Sequence, residues 1–392
     1  MVNQISLFLA CFPLLAMQLV AQDASLADVQ DLSTRNSDFA TRLYRAIASS
    51  TDDNVLVSPI TVSLGLAALM SGADGATREQ LSEALSFMSM DIQKIPGLFE
   101  SLQLSLNQNG EVGLKQAVGV AVDQKFTVAE DYDGLVQNKY GGKVVRVDFS
   151  SPEAARTTIN TFAQSNTGEQ VKDVLSASPD AATKVMLVTA AFFQVPFALA
   201  FNATLTQDER FYVDKYHIAM VPMMFRSDKY HLAYDPSLKL GVLKLPMSGG
   251  AAMLVLLPDE NTDCTALEEE ISADRFKGWV MKLKRTRLEV QLPKFLLEQS
   301  YSLKGVLPAL GIQDTDNLST IGGVQEDFML SEVVHKVAIT ADETGGAPGG
   351  GMDMLTSPPP RLTINRPFLF LIYHEMTSSI LLMGRVVDPT KK

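Results

Sequence analysis

The side chains from which acid–base, nucleophilic or metal chemistry is usually built are scarce here: four histidines, His217, His231, His335 and His374, and two cysteines, Cys11 and Cys264. Their spacing supports none of that chemistry. No two histidines stand at metal-ligand spacing. There is no G-x-S-x-G, no P-loop, no H-E-x-x-H and no paired-cysteine site. No catalytic residue, cofactor or metal is therefore expected, and the chain reads as a non-enzyme. His374 beside Glu375 reads as a turn between two strands. Chemistry done to the chain has more support. Asn202-Ala203-Thr204 and Asn317-Leu318-Ser319 are acceptor motifs for N-glycosylation, which places Asn202 and Asn317 on surface loops. The run "KLKRTR" holds Lys282, Lys284, Arg285 and Arg287, cations that suit an anionic partner. Their alternation with Leu283 favours a strand with one solvated charged face.

A second kind of chemistry is suggested by residues 333–373, "VVHKVAITADETGGAPGGGMDMLTSPPPRLTINRPFLFLIY". The stretch opens as a strand at Val333, Val337 and Ile339 and closes as a buried one at Phe368–Ile372. Between them lie Gly345, Gly346, Pro348, Gly349–Gly351 and Pro358–Pro360. Glycine in a strand interior costs roughly 0.5–1 kcal/mol against alanine, and proline removes a ladder donor. Residues 345–360 are expected to be exposed and to be the first site of proteolytic cutting.

The elements that hold these residues alternate in type along the chain. In "NSDFATRLYRAIAS", Phe39, Leu43 and Ile47 recur at i, i+4, i+8, with Asn36 as the expected N-cap. "SPITVSLGLAALMSG" has a Ser-Pro start and a stop at Gly72. Thr77 and Gln80 have capping-box spacing. The second half is rich in short apolar strands: "KVMLVTAAFFQ", "LGVLKLPM", "AAMLVLLPD", "RLEVQLPKF" and "SILLMGRVV". Mixed helices and strands without a linker predict one α+β domain.

Composition limits the class of partner. With 46% hydrophobic and 20% charged residues in 392, the balance is that of a globular chain with a sizeable core. The net charge of −12 argues against nucleic acid. Ile5 to Val20 is an uncharged apolar run followed by Gln22 and Asp23, and it reads as a signal peptide over residues 1–21, cut after Ala21. A secreted, extracellular protein is expected, with a short tail over 22–35 and a domain over 36–389. No other stretch is long and apolar enough to suggest membrane insertion. The mature chain keeps only Cys264, so it forms no internal disulfide and depends on its core. A monomer is expected.

Longer motifs add a resemblance. "NVLVSPITVSLGLAALMSGADGATREQLSEAL" at 54–85, "VPMM" at 221–224, "VLKLP" at 242–246, "MLVLLPDE" at 253–260, "LPKF" at 292–295, "VVHKVAITADETG" at 333–345 and "INRPFLFLIYHEMTSSILLMGRVVDP" at 364–389 resemble the serpins, in the family's order. The resemblance runs from about Asn36 to Pro389. It implies a reactive loop held outside a large sheet, cut by a serine protease, and then inserted into that sheet with the acyl-linked protease attached. Counting back from Arg366-Pro367-Phe368 in the family's register implies a scissile bond between Thr356 and Ser357, with Leu355 and Met354 as alternatives that suit chymotrypsin- or elastase-like enzymes. The hinge would hold Glu343, Gly345, Gly346 and Pro348. Lys294 and Glu343 match a pair at the top of the sheet, and Ser58, His335 and Thr189 match positions of the contact network beneath it. Thr189 stands where the family usually has Asn, and Phe197 where it usually has Trp.

Departures from the pattern open a second reading. The family usually has Thr where Gly346 stands and Ala where Pro348 stands. Glu343 to Thr356 is 356 − 343 + 1 = 14 residues, about three fewer than the inhibitory pattern. The resemblance thus implies an inhibitor of an unidentified serine protease, or else a non-inhibitory carrier, chaperone, precursor or ligand. The helix that often binds heparin in such proteins matches "DIQKIPGLFESLQLSLNQ", which carries only Lys94, so heparin is not expected there.

Overall fold

The computed structural model describes residues 25–107, 112–260, 262–322, 328–343 and 358–392. Phe39, Leu43 and Ile47 are buried along one side of helix α1, Leu26–Ala48, as their spacing requires. The helix starts well before Asn36, however. Ser25 caps it: Asp28 N–H donates to Ser25 Oγ, and Ser25 N–H donates to the Asp28 carboxylate, each at 3.2 Å. Asn36 is no cap. It is buried mid-helix and accepts from Ser63 Oγ at 2.8 Å. Most of the stretch expected to be a short tail over 22–35 is thus helix, because Val29 and Leu32 find core to bury against.

The other helices are α2 (Pro59–Ser71), α3 (Gly75–Ala84), α4 (Ile95–Asn107), α5 (Glu130–Tyr140), α6 (Pro152–Asn166), α7 (Cys264–Glu268) and α8 (Ala273–Lys282). α2 runs from the Ser-Pro start to Gly72, as read. Thr77 and Gln80 do not form a capping box. Thr77 Oγ1 donates to Asp314, and Gln80 Oε1 accepts the N–H groups of Gln313 and Asp314, both at 2.7 Å, so the pair fastens α3 to a distant loop.

The strands are β1 (Val55–Val57), β2 (Leu114–Asp123), β3 (Lys143–Val147), β4 (Val185–Phe193), β5 (Gln207–Tyr212), β6 (Ile218–Asp235), β7 (Leu240–Pro246), β8 (Ala251–Pro258), β9 (Lys284–Pro293), β10 (Phe295–Ser302), β11 (Leu330–Ala341), β12 (Arg361–Thr363), β13 (Phe368–His374) and β14 (Ser379–Val386). They form two sheets. One has the order β10-β11-β4-β2-β3; the other runs β1-β14-β13-β8-β7-β6-β9-β12, with β5 paired to β6.

Every residue of α2 from Pro59 to Met70 is buried, since the helix lies against both β14 and β4. Gly65 permits that approach: a Cβ there would stand 2.9 Å from Leu187 Cδ1 and 3.0 Å from Thr189 Cγ2. On the far face of the five-stranded sheet, Ile159 and Phe162 of α6 pack on Ala121, Met186 and Val188. Covered on both faces, all nine residues of β4 are buried, which is why its sequence is apolar throughout instead of alternating. Phe368 and Phe370 are 0% and 1% exposed, as their apolar run predicts. The α+β, single-domain expectation holds.

Candidate functional site

β4 and β11 are direct neighbours, in parallel register from Leu330↔Val185 to Ile339↔Phe193. The side chains that cross this seam are those the sequence singled out. His335 on β11 is fully buried and stands opposite Thr189 on β4. Ser58 N–H, at the start of α2, donates to His335 Nε2 at 3.1 Å. That leaves the ring proton on Nδ1, which donates to Thr189 Oγ1 at 3.0 Å; the threonine hydroxyl donates onward to Val334 O at 2.9 Å. Ser58 Oγ donates to Leu381 O of β14 at 3.0 Å, so the other sheet is tied in as well. Tyr301 of β10 stacks on the imidazole, with ring centroids 6.4 Å apart and 11° between planes. The serine that starts α2 therefore fastens sheets together instead of capping its helix.

Burial lowers the His335 pKa to about 3, so the folded protein holds it neutral. Unfolded histidine titrates near 6.5, and the unfolded chain takes up the proton first. This contribution to stability is complete above pH ~6.5 and is lost toward pH ~3, at up to about 1.4 kcal/mol per pH unit. Burial also lowers the pKa of His374, outweighing the Glu375 charge that raises it, and this shift adds to the loss of stability as pH falls. Thermal melts from pH 7.5 down to 4.5 should show a falling melting temperature, with a shallower fall in His335→Gln. Parallel slopes for the two proteins would contradict the assignment.

At the upper end of the seam, Lys294 Nζ meets Glu343 Oε2 at 2.6 Å, and Thr206 Oγ1 donates to Glu343 Oε1 at 2.6 Å. Burial acts to raise the Glu343 pKa, but the hydrogen bonds from Lys294 and Thr206 outweigh it and hold the carboxyl below the ordinary glutamate value. Lys294 joins β9 to β10, and Glu343 lies two residues past β11, so this contact clasps the point where the chain leaves the sheet. Phe197 is 3% exposed and meets Phe201 edge-on at 5.4 Å. Thr206 and Tyr301 were not found from sequence, since neither lies in a motif that points to these contacts.

The remaining expectations fall in three places. Gly345, Gly346, Pro348, Met354, Leu355, Thr356 and Ser357 lie outside the described residues; of the segment expected to be exposed, Pro358, Pro359 and Pro360 are described, the first and last exposed and Pro359 half-buried. Asn202 and Asn317 are exposed, each carbonyl held by its own sequon hydroxyl, from Thr204 at 2.8 Å and Ser319 at 2.7 Å. Cys264 is buried at the start of α7, and burial, with the Glu268 charge, pushes its thiol up to about 12, so it is an unreactive thiol. The run 282–287 is a strand only from Lys284 onward; Lys282 ends α8, because Trp279 and Phe276 bury that helix in the core.

This arrangement, a five-stranded sheet with a tied seam and a clasp where the chain leaves it, coincides with a family match over residues 34–389 to the serpins (serine protease inhibitor). The chain belongs to the serpin family. It is 31% identical over 376 residues to human (Homo sapiens) protein Z-dependent protease inhibitor, covering 93% of this chain and 84% of that protein. It is 32% identical over 369 residues to rabbit (Oryctolagus cuniculus) corticosteroid-binding globulin, covering 91% and 96%. The crystal structure of mouse protein Z-dependent protease inhibitor superposes with a TM-score of 0.86 at 30% identity, covering 93% of this chain and 98% of that one. The relatives thus include both a protease inhibitor and a protein named for binding corticosteroids.

Proposed function

We propose that the chain is a secreted serpin that inhibits a serine protease by offering residues 354–357 as bait and then inserting the cut segment between β4 and β11. What carries this reading is the parallel pairing of those two strands in the middle of the sheet. A segment that leaves the end of β11 and turns back runs antiparallel to β11, and therefore antiparallel to β4 also. Insertion would replace one parallel ladder with two antiparallel ones, the slightly more stable arrangement per residue. The gain is withheld while the segment remains uncut, because its far end continues into β12, in the other sheet. The Lys294–Glu343–Thr206 clasp sits where the segment would enter, and the His335–Thr189 contact is one that entry must part. Removal of residues 1–21 on export and sugars on the exposed Asn202 and Asn317 complete the proposal.

The non-inhibitory reading has its own support, in Gly346, Pro348 and the 14-residue count from Glu343 to Thr356, which oppose efficient insertion. In that case the segment is cut and the protease released. The two readings separate on incubation with a panel of trypsin-, chymotrypsin- and elastase-like enzymes. An SDS-stable complex, with cleavage within 354–357, is the expected result for an inhibitor. Cleavage there with no complex for any enzyme would leave the substrate reading, and cutting elsewhere would overturn the loop assignment.

A further inference from the structure

His374 read from the sequence as part of a plain turn between two strands. The turn is there, between β13 and β14, but its histidine is fully buried. A line of hydroxyls leads away from it. Ser33 Oγ, on α1, donates to Val29 O at 2.8 Å, so it accepts from Ser379 Oγ at 2.7 Å. Thr377 Oγ1 donates to Ser379 Oγ at 2.9 Å. Each hydroxyl has one proton to give. Thr377 has given its own, so its 3.0 Å contact with His374 requires the imidazole proton on Nδ1. One directional chain thus runs His374, Thr377, Ser379, Ser33, Val29 and ties the second turn of α1 to the β13–β14 turn. Gln30 Nε2 adds a bond to Met376 O at 3.5 Å.

The other ring nitrogen is left bare. His374 Nε2 is buried and has no hydrogen-bond partner among the described residues. It faces Gly250, where an added Cβ would stand 3.4 Å from it. The turn is strained as well: Ser378, a non-glycine residue, has φ +58°, and its N–H donates to His374 O at 2.8 Å. Backbone of this kind persists only while its surroundings hold it.

Charge around the ring is sparse. Glu375, whose charge acts on the ring, is already paired with Lys244 of β7 at 2.5 Å. Lys277 of α8 donates to Thr34 of α1 at 3.0 Å. Val29, Ser33 and Ser37, on the buried side of α1, are uncharged. β8 and the Ser248–Gly250 turn carry no charged residue, and Arg385, the one charged residue of β14, is held by Glu268 at 2.7 Å. A proton on Nε2 therefore puts a donor and a charge where neither has a ready partner. We propose that His374 and its hydroxyl chain form an acid-operated latch on helix α1: protonation drives the ring from its site, the strained turn relaxes, and residues 26–33 open locally while the sheets stay intact. Opening uncovers Val29 and Leu32, which are 2% and 0% exposed in the closed form. The proposal does not depend on whether the protein traps proteases.

An opened histidine titrates near 6.5, so at pH 5.0 its protonated form outweighs the neutral one by about 30-fold, and the opening equilibrium should rise by up to that factor. The test is amide exchange of the full chain at pH 7.4 and 5.0, corrected for the intrinsic pH dependence of exchange. Residues 26–33 and 375–379 should lose protection at pH 5.0, while the fluorescence of Trp279, the only tryptophan, stays that of the folded protein. His374→Asn, whose amide can still donate to Thr377 but does not titrate, should keep residues 26–33 protected at both pH values. Imidazole nitrogen-15 shifts of wild type at pH 7.4 need no variant: His374 should carry its proton on Nδ1. Unchanged protection of residues 26–33 in wild type overturns the proposal. So does the same loss in His374→Asn, a His374 proton on Nε2 at pH 7.4, or loss of the folded Trp279 signal together with protection throughout the chain.

Discussion

Replacing Pro348 with Ala and Gly346 with Thr will raise the melting temperature of the cleaved protein and leave that of the intact protein nearly unchanged. Only the cleaved form has these residues in a central strand on the proposed mechanism. There, proline leaves a partner carbonyl without its donor, a cost of about 1–3 kcal/mol, and glycine adds roughly 0.5–1 kcal/mol. The double change should stabilise the inserted form by about 1.5–4 kcal/mol. Length acts separately. β4 offers nine residues to an incoming strand. Residues 344–356 can cover these after a short turn, but the three residues missing from the family's pattern shorten the travel of an attached protease by about 10 Å. Slow or incomplete travel gives the acyl-enzyme time to hydrolyse. Wild type should therefore lose part of each encounter to substrate cleavage, consuming several molecules for each protease trapped, and adding three residues after Gly351 to the double variant should raise the trapped fraction severalfold. The measurements are melting temperatures before and after cleavage near Thr356, and moles of serpin consumed per mole of protease inhibited. If cleaved wild type already melts far above intact protein and traps protease near one-to-one, the substrate behaviour expected from this loop is refuted.

His335→Leu should destabilise the intact protein by about 3 kcal/mol or more. Leucine leaves Ser58 N–H without its acceptor and Thr189 without its donor, at the centre of a seam where water cannot replace them. Each orphaned buried group costs about 1–3 kcal/mol, and the stacked Tyr301 ring loses its partner too. Because the lost bonds join β4, β11 and α2, the change should also speed spontaneous separation of β4 from β11, seen as faster amide exchange along Val185–Phe193. His335→Asn should lose less than leucine, since its amide can still both donate and accept. A leucine variant that melts within 1 °C of wild type would show that the network carries little of the stability.

The elements were legible where the signal is local. The apolar runs at 185–193, 251–258, 287–293, 368–374 and 379–386 became strands, and the period of Phe39, Leu43 and Ile47 became a helix, because burial of one face is written at fixed spacing along the chain. Where the reading failed, a partner far along the chain had altered the outcome. Asn36 has the chemistry of a cap but lies mid-helix, because Val29 and Leu32 extend α1 into the core and Ser25-x-x-Asp28 caps it first. Thr77 has cap spacing but meets Asp314. Lys294 with Glu343 as a pair, and Ser58, His335 and Thr189 as one network, could be named from the resemblance, but not their further partners. Thr206 reaches Glu343 across 137 residues and Tyr301 lies beside His335 through β10, contacts that exist only once the sheet is in register. Periodicity and caps are properties of neighbouring residues, and the sequence determined them directly. Which charge faces which, and which strands leave room for another, depends on register between distant segments, and packing of the whole core decides that.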